Sequence, residues 1–236
     1  MNSFITIKNN ILDKEKNLIL FIFLISAIIR STVAYFYGDN VLENEWSLLV
    51  KNLYNFNSFS ILKFGDLFVP NLWMPPVYGY FLYLHSLIFG INSINCYICN
   101  ENLVRAIITS QIILSSITPV LFFKILSNFF SKKLCFLGAI TLGCFPLVVY
   151  GASQISSASL YLFLLTLFLF LVLDLSKNQK SYRIILIGII AGLLILTRRD
   201  FILIYLFSLG YLLFFFKINY KKIIKVILIS SIALSP

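Results

Sequence analysis

Val77-Tyr78-Gly79-Tyr80-Phe81-Leu82-Tyr83-Leu84-His85 opens an apolar stretch, residues 77–91, whose reading decides the topology of the chain. If the stretch crosses a membrane, every charged cluster after the first changes sides. If it does not, 13 of the 19 basic residues share one side: Lys8, Lys14, Lys16, Lys124, Lys132, Lys133, Lys177, Lys180, Arg183, Lys217, Lys221, Lys222 and Lys225. Cytoplasmic loops collect Lys and Arg, so the second arrangement is the expected one. Three tyrosines and a histidine also suit a membrane interface. We therefore read 77–91 as an amphipathic helix lying on the outer surface, with the N-terminus of the chain in the cytoplasm.

The surroundings fit that reading. The chain is 60% hydrophobic with a mean hydropathy of +0.94, against about 45–50% apolar residues in a soluble domain. The composition marks an integral membrane protein. Its net charge of +10 comes as short basic clusters between apolar runs, which excludes a nucleic-acid surface. Candidate spans are 17–37, 103–126, 134–150, 157–175, 184–196, 201–216 and 223–236. The first has no clean cleavage site after it and reads as a signal anchor. The expected fold is an all-α polytopic bundle, one transmembrane domain over 1–236. An extracytoplasmic loop, 38–102, carries juxtamembrane helices. The last run is short for a crossing, as in the N-terminal part of a longer protein.

Four of the nine acidic residues fall in the part of that loop before Trp73-Met74-Pro75-Pro76: Asp39, Glu43, Glu45 and Asp66. Carboxylates held at a membrane are costly and mark function. Asp39 and Asn40 precede a helical pattern with Leu42, Trp46, Leu49 and Leu53 on one face, so Asp39 suits an N-cap. Asn40-Val41-Leu42-Glu43 has capping-box spacing. Glu45 has no such local role. Beside Trp46, partial desolvation would raise its pKa toward the range of a general base. Carboxylates are hard ligands for a divalent metal, but nothing fixes a coordination geometry, and no cofactor is expected. His85 reads as packing or interfacial. Cys96-Tyr97-Ile98-Cys99 has the spacing of a local disulfide on an oxidising face. Cys135 and Cys144 read as buried small hydrophobes.

The outer face also receives Glu101, Arg105 and the turn Arg198-Arg199-Asp200. The run 184–196 before that turn gives about 20 Å of helix, short of a hydrocarbon core of about 30 Å. Arg198 and Arg199 then either meet an anionic partner below the headgroups or snorkel outward to lipid.

In order, these features resemble the C-type membrane glycosyltransferases, in particular the group of protein O-mannosyltransferases and aminoarabinose transferases. Glu43-Asn44-Glu45-Trp46 stands at that family's acidic motif, Trp73-Met74-Pro75-Pro76-Val77-Tyr78 at its Pro-Pro-x-Tyr segment and Phe89-Gly90 at its "FG". Asn102-Leu103-Val104-Arg105 is similar to the arginine opening its next span, and Phe145-Pro146 with Tyr150 to a helix end. Gly192-Leu193-Leu194-Ile195-Leu196-Thr197-Arg198 is similar to its "G-L-x-x-L-T-R/K" motif, and Ser235-Pro236 to the start of "P-W-x-x-R-N". Leu42 stands where the family carries an aspartate, and Ala158 follows Ser157 where the family often has an acid. The resemblance implies a polyprenyl-phosphate sugar donor, a lipid, glycan or protein acceptor, and inverting transfer on the non-cytoplasmic face of the plasma membrane. Glu45, Glu43 or Asp39 would activate the acceptor, Arg198 and Arg199 would hold the lipid phosphate, and Arg105 and Tyr78 would contact substrate. The alternative from another class is a non-catalytic polytopic protein, a transporter or polysaccharide-assembly partner. Polar residues within spans or inverted repeats would mark a transporter, whereas here polarity gathers at the outer rim. An inactive family member is the third reading.

Overall fold

The computed structural model describes residues 2–65, 67–71, 73–94, 97–98, 100–177, 180–215 and 218–234. Asp66, Cys96, Cys99, Ser235 and Pro236 lie outside these residues, and with them the Cys-x-x-Cys pair. The described chain is a helical membrane bundle capped at one end by a small mixed layer. Helix α1 (Asn2–Tyr37) carries an apolar segment from Glu15 to Tyr37. The capping layer follows: α2 (Asn44–Phe56), the hairpin β1 (Ser60–Phe64) with β2 (Leu67–Pro70), α3 (Pro76–Phe89), and the hairpin β3 (Ser93–Ile94) with β4 (Tyr97–Ile98). The bundle resumes with α4 (Glu101–Leu126), α5 (Lys132–Cys144), α6 (Pro146–Ser153) and α7 (Ala158–Lys177). It continues with α8 (Ser181–Thr197), α9 (Phe201–Phe214) and α10 (Tyr220–Leu234).

Segments Glu15–Tyr37, Glu101–Leu126 and Ala158–Leu175 are long and apolar enough to cross a membrane alone. The run 134–150, expected as one span, falls in α5 and α6, which are bent by 46° at their break. Pro146 causes the break, since it has no N–H to continue α5 and suits the first position of α6. Helix α8 has 17 residues rather than the expected 13 and starts at Ser181.

Contacts sort the helix ends. Gln154 donates from Nε2 to the Tyr37 carbonyl (2.8 Å), joining the ends of α6 and α1. At the opposite end, Lys132 pairs with Glu15 (3.5 Å), and Arg183 pairs with Asp174 (2.7 Å) where α7 passes into α8. The chain therefore alternates between ends, with α1 leaving and α4 returning at the same one. Helix α3 lies across the bundle. Tyr78 reaches Gln111 (2.6 Å) and His85 reaches Ser110 (2.8 Å). Those α3 residues are about 10 Å apart along their helix, yet their α4 partners are neighbours, so the two helices cross rather than run side by side.

Two kinds of packing hold the molecule together. In the capping layer, α2 buries Leu49, Val50 and Leu53 against α3, each large apolar side chain contributing roughly 1.5–3 kcal/mol. Gly79 permits that approach: a Cβ there would lie 2.7 Å from Leu49 Cδ2 and 2.7 Å from Phe59 Cε2. Among the spans, lipid removes most of that driving force and close backbone contact replaces it. A Cβ on Gly192 would meet Ala233 Cβ at 2.5 Å and the Ser230 carbonyl at 3.0 Å, so glycine lets α10 lie directly on α8. Asn100 joins the two regimes. Its Oδ1 caps α4 by accepting from Asn102 and Leu103 N–H, and its Nδ2 donates to the Phe89 carbonyl at the end of α3.

Arg30 is the exception inside the bundle. It is fully buried in α1. Its guanidinium donates to Ser115 Oγ (2.8 Å) and to the carbonyls of Gly143 (2.7 Å) and Ser26 (3.1 Å). The Gly143 carbonyl belongs to the last turn of α5, which the break at Pro146 leaves without helical partners. One cation thus serves the kink from the neighbouring helix. An ionisable residue within a span is the signal that marks it in the sequence, and the reading of 17–37 as plain anchor passed over it.

Candidate active site

Residues 39–42 leave α1 as a bent, non-helical link fixed at both ends. Asp39 N–H donates to the Ser153 carbonyl (3.2 Å), and the Asp39 carboxylate accepts from Ile155 N–H (2.7 Å). Leu42 exchanges two backbone hydrogen bonds with Ile98, each 3.0 Å, and its side chain is 1% exposed. That pairing holds 40–42 out of the helix, so α2 starts only at Asn44 with Glu43 as its N-cap residue. The expected cap at Asp39 and the capping box to Glu43 are therefore replaced: Asp39 ties α1 to the α6–α7 junction, and the Glu43 side chain makes no capping bond. Glu45 occupies the first turn of α2 and is exposed rather than half-buried beside Trp46. The position where the resemblance puts an aspartate, Leu42, is a sealed core position in which a carboxylate would be desolvated.

A cavity of about 830 Å³ lies over this segment, with Asp39, Glu43, Glu45, Trp46 and Ile155 in its walls. A second, of about 440 Å³, brings Trp73-Met74-Pro75-Pro76 against Thr197-Arg198-Arg199 at the end of α8. A third, of about 370 Å³, lies under the β1–β2 hairpin. The walls are shared: Glu45 belongs to the first and third, and Asn71 and Trp73 to the second and third. Carboxylates and arginines thus stand at the two ends of one chain of hollows. The Arg198 guanidinium sits 5.2 Å over the Tyr161 ring, which aims it from the α8 end toward the start of α7. Asn71 orients itself: its Oδ1 accepts from Trp73 N–H (2.9 Å) and Met74 N–H (3.3 Å), which leaves Nδ2 with no partner among the described residues.

Two expected substrate contacts fall elsewhere. Tyr78 is fully buried. It donates to Gln111 Oε1, Gln111 donates onward to the Gln154 carbonyl (2.7 Å), and Trp46 packs edge-on against the Tyr78 ring at 4.9 Å. Burial, reinforced by the Asp39 charge, pushes the Tyr78 hydroxyl well above the usual tyrosine range, so it remains a donor. Its place is behind Trp46, supporting the wall. Arg105 is exposed and pairs with Glu101 (3.0 Å) one turn back on α4, away from the three cavities. His85 spans the Phe81 carbonyl and Ser110 Oγ, both at 2.8 Å, and packs as expected. Cys144 is exposed, not buried, while Cys135 is buried. Among the described residues no three His, Cys, Asp or Glu side chains come together as a metal site. The Gln111–Gln154 link, Asn71 and the hairpin were not anticipated. Amides set in apolar runs are their trace in the sequence.

No curated protein sequence matches the chain at a significant level. The family model for dolichyl-phosphate-mannose-protein mannosyltransferases matches residues 73–236. The match takes in the Trp73–Pro76 wall, α3 and every later helix including the arginine turn, and begins after the acidic segment. Covering more than half of the chain, it shows that this protein belongs to the dolichyl-phosphate-mannose-protein mannosyltransferase family of membrane glycosyltransferases.

Proposed function

We propose that the protein transfers a sugar from a polyprenyl-phosphate donor to an acceptor hydroxyl at the non-cytoplasmic face. The observation that carries this reading is the shared wall: the hollow under the hairpin shares Glu45 with the hollow bearing the other carboxylates, and Asn71 and Trp73 with the hollow bearing the arginines. A phosphate leaving group needs cations where its charge develops, and an attacking hydroxyl needs a base on the other side of the anomeric carbon.

The roles follow from position. The donor phosphate lies against Arg198 and Arg199, whose planar guanidinium groups can bind two phosphate oxygens at once. The acceptor oxygen attacks the anomeric carbon from the Glu45 side. The bond from that carbon to the phosphate oxygen breaks, the electron pair leaves with the phosphate, and the hydroxyl proton passes to Glu45. One displacement inverts the anomeric centre. Asp39, fixed by Ile155 N–H, anchors the segment that leads to Glu45. The gathering of most lysines at the end of the bundle opposite Tyr37 and Glu101 supports a site outside the cytoplasm under the positive-inside rule.

The test is transfer from radiolabelled polyprenyl-phosphate mannose in proteoliposomes. Glu45→Gln keeps the shape and removes the base, so turnover should fall by roughly 10²–10⁴-fold. Turnover equal to wild type in Glu45→Gln, Glu43→Gln and Asp39→Asn alike would end the catalytic reading of this segment.

A further inference from the structure

The β1–β2 hairpin has one occupied face and one free face. Strand pairing sets Leu62 opposite Val69, Lys63 opposite Phe68 and Phe64 opposite Leu67. Side chains alternate along a strand, so Leu62, Phe64, Leu67 and Val69 share a face. All four are exposed, at 57%, 69%, 77% and 40%. The opposite face is used: Lys63 Nζ sits over the rings of Phe56 (5.6 Å) and Phe68 (5.2 Å), which docks the hairpin on the end of α2. Asn52 Nδ2 donates to the Ser60 carbonyl (2.9 Å) and fixes the base. The hairpin is therefore held in place with a contiguous apolar face turned outward.

That face runs into the smallest of the three hollows. The strand register slips between Ser60 and Leu62, and this bulge lets Ile61 and Leu62 both line the cavity. Val69, Pro70 and Trp73 complete its apolar walls, and Trp73 is 95% exposed. Its polar groups are Glu45 and Asn71. We propose that this cavity is the acceptor subsite and that the acceptor is a lipid alcohol, a hydroxyl carried on an apolar body. The assignment rests on Glu45 as the base of the transfer. Continuity with that base selects the occupant: the body lies on Leu62 and Val69, and its hydroxyl ends beside Glu45. A peptide or a free sugar would leave many hydrogen bonds to water unreplaced on five apolar walls, whereas a lipid alcohol asks for one. The unpartnered Nδ2 of Asn71, at the wall shared with the arginine hollow, suits an oxygen of the sugar being passed across.

The probe is a diazirine-tagged farnesol, applied to the purified protein in phosphatidylcholine nanodiscs, with labelled peptides mapped by mass spectrometry. The expected result is saturable labelling within 60–73, competed by plain farnesol and not by glucose. Leu62→Glu should lower it by about tenfold, the worth of one apolar contact, and Leu62→Phe should keep it. Since Leu62 points away from α2, the unfolding midpoint of either variant should match wild type. Labelling reads binding without donor or turnover, so loss of the transfer reading and loss of this one are separately visible. Labelling that is unsaturable, confined to the spans, or equal in Leu62→Glu overturns the proposal. So does saturable labelling of the hairpin by a diazirine-tagged serine hexapeptide in place of the alcohol.

Discussion

Asp39 and Ile155 lie 116 positions apart and meet at 2.7 Å, carboxylate oxygen to backbone N–H. The bond joins the first residues after α1 to the junction of α6 and α7, and with the Leu42–Ile98 pairing it gives the acidic segment a fixed floor.

Removing that carboxylate should loosen the floor. Asp39→Ala loses a hydrogen bond to a charged acceptor, a cost of about 1.5–3 kcal/mol. Asp39→Asn retains an acceptor oxygen and should recover most of it. Thermal unfolding in detergent reads the order: wild type above Asp39→Asn, and Asp39→Asn above Asp39→Ala. Equal midpoints would show that the bond carries nothing.

Tyr78 makes alkaline stability a readout of the layer behind Trp46. Burial first, and the Asp39 charge second, hold its hydroxyl protonated beyond the ordinary tyrosine range. An unfolded tyrosine ionises near about pH 10, so above that pH unfolding releases a proton. The contribution is fully present below that pH and is lost as pH rises, by at most about 1.4 kcal/mol per pH unit. Tyr78→Phe should be less stable at neutral pH, with Gln111 Oε1 deprived of its donor, yet should show a shallower fall under alkali. Denaturant unfolding across this pH range distinguishes the two slopes, and parallel slopes would contradict the burial.

The helices were legible because hydrophobic period acts locally. The polar joints were not, since each depends on residues far apart in sequence. Leu42 reads as part of a helix face, yet Ile98 claims its backbone and moves the start of α2 to Asn44. Glu45 reads as half-buried because the pattern gives a face, not a depth. Tyr78 resembles a substrate contact by motif, and only the crossing of α3 over α4 shows it sealed on Gln111. The order of the motifs reached the family; their contacts needed the fold.

Arg30 should be worth more than its place in an anchor segment implies. Arg30→Met leaves Ser115 Oγ and the Gly143 carbonyl without their donor, at about 1–3 kcal/mol for each group left unpaired. Arg30→Lys supplies a charge without the fork and should recover part. Unfolding in mixed micelles measures both. Wild-type stability in Arg30→Met would show that the break at Pro146 stands without it.

The central claim is that the turn after α8 binds the phosphate of the donor while the Glu45 side does the chemistry, and donor binding separates the two ends most directly. Polyprenyl phosphate binding to the reconstituted protein should weaken by about 1.5–3 kcal/mol in Arg198→Ala, recover in part in Arg198→Lys, and be unchanged in Glu45→Gln. Phosphatidylglycerol should compete poorly in the wild type. Binding equal to wild type in both arginine variants, or lost equally to phosphatidylglycerol, would make the turn a membrane anchor and contradict the account.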